Sequence, residues 1–447
     1  MISFRLLLLP FFVLLNWYAW RALRRAAAGW LGTGRFAGAG KWLGWLIVLL
    51  NVPLLAFFLP GADARLRLVP PALLRIFFYP ATVWLATIIA FFCIAAPLAV
   101  VFGLAKHLAG WIRKSKEWIF GSPASPLPKS PAAARRTFLS GVPGLLIPGI
   151  YGVAAYGVYS HMGEIDISKE YSIPIPYLPR SLDGLTIVQI SDLHVGPYIR
   201  ERDLLHVVDL ASHLRPDLMV ITGDVLDRSL SSLPDALNGL KGIRAPLGVF
   251  AVLGNHDYYA DRYSFSGRYR GAVRIATGLE SIGIKTLRNQ VVHLGGEQDR
   301  LALMGLDWLT TGPRDRNFFS YKPAETRRQL RHMVRDAGPE TPRILLAHHP
   351  DTFLEVPTHK IGLTLSGHTH GGGQVILGYV NGVPIGIGML RFKYLSGLYR
   401  EHGCSLYVNR GIGYLGIPLR INCPPEISRF KLICGSISGR DAADVHL

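Results

Sequence analysis

Five times in the second half of the chain, an apolar run of strand length stops on residues whose side chains bind metals. Leu185–Ile190 leads into Ser191-Asp192-Leu193-His194, Leu218–Thr222 into Gly223-Asp224-Val225-Leu226-Asp227-Arg228, and Gly248–Leu253 into Gly254-Asn255-His256-Asp257. Further on, Arg343–Ala347 leads into His348-His349-Pro350-Asp351, and Ile361–Ser366 into Gly367-His368-Thr369-His370. Short runs rich in Val, Ile and Leu have the pattern of buried strands. Helical stretches such as Arg202–Leu214 and Tyr321–Ala337 alternate with them. This alternation predicts an α/β architecture whose strand ends converge on one sheet edge.

Each fragment alone has an ordinary reading. Gly-Asp and Gly-Asn-His-Asp are turn sequences, because Gly, Asn and Asp accept positive φ or form Asx-turns. Gly367-His368-Thr369-His370 reads equally as a strand end with two solvated imidazoles. His349 alternates away from His348 and is assigned to packing, and Asp307 in Gly305-Leu306-Asp307-Trp308 to capping a loop. Together the fragments bring several carboxylates, several imidazoles and an Asn to one edge with no charge partner near in sequence. Burying such groups uncompensated costs several kcal/mol each, so the edge is either solvated or occupied by cations. Mixed imidazole and carboxylate donors suit Zn, Mn or Fe, and the lack of thiolates argues against a structural zinc. Two cations about 3.5–4 Å apart that share a carboxylate clamp a phosphoryl group for in-line displacement, and a bridging water becomes hydroxide at neutral pH. A nearby imidazolium then protonates the departing alkoxide.

In this order, Asp192-x-His194, Gly223-Asp224-x-x-Asp227, Gly254-Asn255-His256-Asp257, His348-x-Pro350 and Gly367-His368-x-His370 resemble the signature of the calcineurin-like metallophosphoesterase superfamily. Ile190-Ser191-Asp192-Leu193-His194, Gly367-His368-Thr369-His370-Gly371-Gly372 and Tyr407-Val408-Asn409-Arg410-Gly411-Ile412-Gly413 are similar to its membrane-associated branch, which includes hydrolases of UDP-diacylglucosamine-type lipids. The resemblance spans roughly residues 180–434. It implies a four-layer β-sandwich flanked by helices, and two divalent metal ions (Mn, Zn or Fe). Asp192, His194 and His370 would ligate one ion, Asn255, His348 and His368 the other, with Asp224 bridging. His256 would contact the phosphoryl group or act as general acid, positioned by Asp227, and Arg228 is a candidate phosphate contact. A third glycine, Gly373, departs from the usual pattern without removing a ligand.

The first 160 residues have a different character. Apolar spans at Leu6–Trp20, Trp42–Leu59, Phe77–Leu104 and Phe138–Tyr159 compare with the roughly 20 residues a helix needs to cross a bilayer, the first being marginal. No small-residue cleavage site follows Trp17, Tyr18 and Trp20, so the first span is read as a retained helix. Sixteen Lys/Arg against Asp63 and Glu117 place +14 of the net +18 here, a topology signal rather than a nucleic-acid footprint. Five basic residues lie between Arg21 and Lys41 and seven between Lys106 and Arg136, against three in the 60–76 loop. Positive-inside counting puts the two rich loops in the cytoplasm and the carboxy-terminal domain outside it.

The expected organisation is a membrane anchor of about four transmembrane helices over 1–160, an extended connector over 161–180, a catalytic domain over 181–435, and a tail over 436–447. The expected activity is a membrane-anchored phosphodiesterase or phosphomonoesterase. Its expected partners are a phosphoester substrate, with a lipid-linked one the candidate, and the bilayer; nucleic acid is not expected. Tyr258, Tyr259, Tyr263 and Phe265 are a candidate wall for acyl chains, or ordinary loop packing. The competing readings are a mononuclear oxygenase or amidase, which seven ligands overfill, and a non-enzymatic receptor or scaffold. Cys93, Cys404, Cys423 and Cys434 lack metal-type spacing and read as buried thiols.

Overall fold

The computed structural model describes residues 9–31, 33–58, 62–120, 132–160, 164–260, 267–296, 299–308, 321–380 and 383–435. The chain divides into two units: Met1–Ala62 with Val69–Tyr159, and Asp63–Leu68 with Ser160–Leu447.

The first unit is helical. Its long helices are Leu9–Leu31, Thr33–Phe58, Tyr79–Phe120 and Ala132–Tyr159, reached through short helical turns from Pro71. Among the described residues, one helix, Pro71–Ile112, is long and apolar enough to cross a membrane; Lys41–Leu55 and Leu146–Tyr159 are shorter apolar helices. Residues 6–8 of the first span and Leu59 of the second lie outside the described residues. Asn16 joins three helices: its Oδ1 accepts from Asn51 Nδ2 at 2.9 Å and from Trp84 Nε1 at 2.8 Å. Polar side chains bond across apolar helices in this way where lipid offers no alternative partner.

The second unit is α/β. Its strands are β1 (Asp166–Ile175), β2 (Thr186–Ile190), β3 (Leu218–Thr222), β4 (Val249–Val252), β5 (Ile284–Thr286), β6 (Gln290–Gly295) and β7 (Arg300–Leu306). They continue with β8 (Arg343–Ala347), β9 (Leu363–Ser366), β10 (Gly378–Val380), β11 (Val383–Ile385), β12 (Gly397–Glu401), β13 (Cys404–Val408) and β14 (Glu426–Cys434). One six-stranded sheet has the order β1-β14-β2-β3-β4-β5 and a second the order β12-β13-β9-β8-β7-β6, while β10 and β11 form a separate hairpin. The runs β2, β3, β8 and β9 are mostly apolar because both of their faces are covered, and the buried Gln189 of β2 donates to Thr222 Oγ1 and to the Ser366 carbonyl. Inward residues Ile187, Val220, Phe250, Leu346, Leu365 and Phe430 fill the space between the sheets. Helices Glu201–His213 and Gly267–Ser281 cover the outer face of the first sheet, and Pro323–Ala337 that of the second. Helix, sheet, sheet and helix make four layers.

Leu346→Ala removes a fully buried side chain from this inter-sheet core. It is expected to destabilise the protein by about 2–5 kcal/mol, read as a lower thermal midpoint of the detergent-solubilised full chain.

Residues 165–180 differ from the expected surface connector. Asp166–Ile175 is a strand paired in parallel with β14, and Ile173 and Ile175 are wholly buried. The Ile/Pro alternation is that of an edge strand with one face in the core; Pro is tolerated there because an edge leaves half its N–H groups unpaired. The four cysteines are unbridged; Cys404 and Cys423 are buried, whereas Cys93 and Cys434 are exposed.

Candidate metal centre

β2, β3 and β4 run parallel in one sheet, and β8 and β9 run parallel in the other. Their carboxyl ends therefore open on a common edge, and each sequence motif begins where a ladder ends. The backbone there is unusual. Asp192, His194, Asp224, His368 and His370 all have φ between 46° and 73°, in the left-handed region. Asp and His tolerate that region better than most residues, yet each such position still costs about 1–3 kcal/mol. Five such residues, in the three loops after β2, β3 and β9, turn their side chains inward at one edge.

Two glycines admit the close approach this requires. A Cβ on Gly254 would overlap the Asp224 carboxylate, and one on Gly367 would overlap Ser191 and the Asp192 carboxylate.

Two sets of donor atoms result. In the first, His194 Nε2 and His370 Nε2 face each other at 2.9 Å, with Asp192 Oδ1 3.4 Å from His370 Nε2. In the second, His348 Nε2 lies 3.2 Å from His368 Nδ1, 3.3 Å from Asn255 Oδ1 and 3.2 Å from Asp224 Oδ2. Asp224 Oδ2 is also 3.6 Å from His194 Nε2, so this carboxylate touches both sets. Asp192-His194-His370 and Asp224-His348-His368 each have the clustering of a cation site, and His194-Asp227-His256 forms a third such group.

The electrostatics favour added positive charge. Burial resists ionising Asp224, but His348, His256 and His194 outweigh it and hold its carboxyl well below the usual range. Burial likewise resists protonating His348, yet Asp224 and Asp192 push its pKa up to about 9. His368 and His370 are held well below the ordinary imidazole value, first by burial and then by neighbouring imidazoles. Buried nitrogens His194 Nδ1, His368 Nε2 and His370 Nδ1 lack hydrogen-bond partners. Buried carboxylates beside imidazoles held neutral fit divalent cations of the Mn, Fe or Zn type.

Outer contacts hold the donors in place. Thr222 O accepts from His348 Nδ1 at 2.7 Å, which leaves Nε2 as the donor atom. Ser191 Oγ donates to Asp192 Oδ2 at 2.6 Å, and the His256 N–H donates to Asp224 Oδ1 at 2.7 Å. The His256 ring points Nδ1 at the Asp227 carbonyl, 2.6 Å away, and at Asp227 Oδ1, 3.4 Å away. Burial works against a proton on His256, but Asp224 and Asp227 raise its pKa. Arg228 Nε is 3.5 Å from Asp227 Oδ1 at the partly exposed rim.

Several residues that hold this site carry no clear sequence signal. Asp257 accepts from the Gly254 and Leu226 N–H groups at 2.9 and 3.1 Å, tying two ligand loops together. Arg420 is completely buried and donates to the carbonyls of Arg410, Gly411, Gly413 and Cys423, a role a lone Arg in a loop does not announce. His349 packs as expected, but against the centre itself: it stacks between Trp308 and Tyr321 and lies 4.9 Å from the His368 ring. Asp307 is more than a loop cap, since it pairs with Arg288 at 2.9 Å and accepts from Tyr258 at 2.8 Å. That buried bond makes Tyr258 a packing residue, while Tyr259 sets its ring 5.6 Å from that of His256. Tyr263 and Phe265 lie outside the described residues.

Comparison with known proteins agrees with this geometry. A family model described as calcineurin-like phosphoesterase matches residues 185–372. The chain is 32% identical over 313 residues to the uncharacterized metallophosphoesterase YkuE of Bacillus subtilis, an alignment covering 67% of this chain and 97% of that one. It is 32% identical over 309 residues to a transmembrane protein with metallophosphoesterase domain from Danio rerio, covering 67% of this chain and 64% of the relative. An uncharacterized metallophosphoesterase of Helicobacter pylori is 30% identical over 260 residues, 58% of this chain and 62% of that one.

Proposed function

The chain belongs to the calcineurin-like metallophosphoesterases, hydrolases of phosphoric ester bonds, and from that premise we propose a membrane-anchored enzyme that works with two divalent cations. The observation that carries the second cation is Asp224 Oδ2, which lies within 3.6 Å of a ring nitrogen in each donor set. Asp192, His194 and His370 would hold one ion and Asn255, His348 and His368 the other, with Asp224 available to both. Cations bound there supply Lewis acidity, neutralising phosphoryl oxygens and making water nucleophilic at neutral pH.

The remaining work falls to side chains. With Nδ1 committed to the Asp227 carbonyl, His256 presents Nε2 to the leaving oxygen and delivers a proton there. Asp227 orients that ring, and Arg228 beside it is placed to meet a phosphate oxygen. Trp308, whose ring is 5.0 Å from that of His368, walls one side against water. Asp227→Ala is expected to lower turnover by about 10–100-fold, the usual cost of an outer hydrogen-bond partner, with little change in KM. An unchanged rate would remove Asp227 from the mechanism.

The substrate class follows from the anchor: a phosphoester presented at a bilayer, on the side away from the cytoplasm. Supporting that orientation, Asp63–Leu68, joined at both ends to apolar helices, belongs with the catalytic unit. There Leu66 is buried, and Arg67 makes a bidentate contact with Asp235 at 2.7 and 3.1 Å. A reporter fused after Leu447 that is active only in the cytoplasm would overturn this orientation.

The test of the activity is release of nitrophenolate from bis- and mono-p-nitrophenyl phosphate by the full-length protein in detergent with Mn²⁺. Chelation is expected to abolish release and Mn²⁺ to restore it, with two metals per chain by elemental analysis. Release from neither ester would favour the scaffold reading, and one metal per chain would remove the dinuclear one.

A further inference from the structure

Strand β2 carries a polar side chain into the space between the sheets. Gln189 alternates with Ile187 and pairs in register with Val220, both of them inter-sheet core residues, so it lies on the inward face, where it is completely buried. Thr222 follows Val220 by two residues on β3, shares that face and is also completely buried. A buried amide or hydroxyl costs free energy unless it is hydrogen-bonded, and Leu or Met would fill such a position without that cost. The hydrogen bonds of these two side chains lead to the metal centre.

Each bond in the series has a fixed direction. A carboxylate able to hold a cation is ionised and can only accept, so Ser191 Oγ donates to Asp192 Oδ2 at 2.6 Å; its alternative acceptor, the Thr222 carbonyl, is 3.3 Å away. With its hydrogen committed, Ser191 Oγ accepts from Thr222 Oγ1 at 2.7 Å. Thr222 Oγ1 in turn accepts from Gln189 Nε2 at 2.8 Å, and the same nitrogen donates to the Ser366 carbonyl at 2.9 Å. A carbonyl can only accept, which fixes the orientation of the Gln189 amide. The bonds therefore run one way, from amide to hydroxyl to hydroxyl to carboxylate, and successive bonds of one polarity strengthen one another away from water. Oδ2 is turned to this chain, whereas Oδ1 faces the imidazoles, 3.4 Å from His370 Nε2 and 4.0 Å from His194 Nε2. The His368 N–H lies 3.1 and 3.0 Å from the two oxygens and does not distinguish them.

We propose that Thr222 and Gln189 are positioning residues of the first cation site: their one-way chain through Ser191 holds Asp192 Oδ2 from behind and so aims Oδ1 at the ion that Asp192, His194 and His370 would hold. The proposal rests on the two-cation reading and concerns one ion of the two. The second site is tied to the same residue differently, because His348 Nδ1 donates to the Thr222 backbone carbonyl, which no substitution of the side chain removes. The side chain of Thr222 thus serves one set of donors and its backbone the other.

The experiment measures Mn²⁺ binding by the metal-stripped full-length protein in detergent, with free Mn²⁺ read from its electron paramagnetic resonance signal. Thr222→Val keeps the shape of the side chain and removes the hydroxyl. It is expected to weaken one ion by about 10–100-fold, the usual cost of an outer hydrogen-bond partner, and to leave the other unchanged. Thr222→Ser, which keeps the hydroxyl, is expected to bind both ions as the parent does, and Gln189→Met to weaken the same ion as Thr222→Val but by less. To identify the ion, Thr222→Val is combined with Asn255→Ala, where the remaining ion should still weaken, and with His370→Ala, where it should not. Parent-like binding by Thr222→Val overturns the proposal. So does equal weakening of both ions, or equal weakening by Thr222→Ser, either of which would make Thr222 a packing residue. If Thr222→Val shows no thermal transition, Gln189→Met takes its place: weakening of one ion supports the chain, and parent-like binding of both overturns it. If the parent binds a single ion, the two-cation reading fails, and the proposal survives only where Thr222→Val weakens that ion and Thr222→Ser does not. A parent that binds no Mn²⁺ overturns both.

Discussion

His256→Ala is expected to keep its metals and lose turnover by about 10²–10⁴-fold, the range for removing a general acid. Both halves follow from where the ring sits. Its Nδ1 is 2.6 Å from the Asp227 carbonyl oxygen, which can only accept, so Nδ1 carries a proton in either ring state and Nε2 is the atom that titrates. The ring stands edge-on to that of His194, 4.5 Å between centroids, without entering either donor set around Asp224 Oδ2. The backbone N–H of residue 256, which supports the Asp224 carboxylate, survives the substitution. The measurement is nitrophenolate release alongside elemental analysis of the same sample. Because His256 also clusters with His194 and Asp227, loss of a metal ion would make it a ligand and leave the general acid unassigned.

Asp224→Asn is expected to have the opposite signature, losing metal and activity together. Removing an outer partner of a ligand costs roughly 10–100-fold in affinity or activity. Removing the charge that both donor sets share should exceed that range and lower metal content below one ion per chain. Asn keeps an oxygen to accept from the His256 N–H, so the loop geometry has little reason to change. In the metal-free protein, Asp224 and Asp192 are two buried carboxylates; after burial and the opposing pull of His348, Asp224 is among the causes that raise the Asp192 pKa. That repulsion is outweighed, because His348, His256 and His194 hold the Asp224 carboxyl well below the usual range; its charge therefore stabilises the metal-free fold at neutral pH, and the metal-free Asp224→Asn protein should melt below the metal-free parent. A variant that keeps two ions would exclude Asp224 as their common ligand, and a metal-free variant that melts at or above its parent would show that the three imidazoles do not stabilise the Asp224 charge.

How much of this was legible beforehand depended on whether the signal was local. Motifs such as Gly254-Asn255-His256-Asp257 could be read because buried parallel strands are predominantly apolar, so a cluster of Gly, Asn, His and Asp marks the strand end. Positive φ at Asp192, His194, Asp224, His368 and His370 is consistent with the residue types found there, since Asp and His accept it better than branched residues. The strand character of Asp166–Ile175 was less legible, because its ladder partner β14 is about 260 residues away and its prolines imitate a connector. Asp307 misled, and Arg420 gave no signal, for a related reason. In sequence a charged loop residue looks solvated, and only the folded chain surrounds Arg420 with carbonyls and gives Asp307 both Arg288 and Tyr258.

The sequence by itself determined the kind of chemistry and the order of its parts, because strand length, apolar pattern and donor type are properties of neighbouring residues. It also located the excess positive charge among the apolar spans. Tertiary structure alone decided which donors meet. His194 faces His370 across 176 residues, and Asp224 reaches both His194 and His348, because two separate sheets end their parallel strands at one edge. The folded chain likewise set Phe392 beside His368: a contact between distant residues is a property of the closed fold, and no local pattern encodes it.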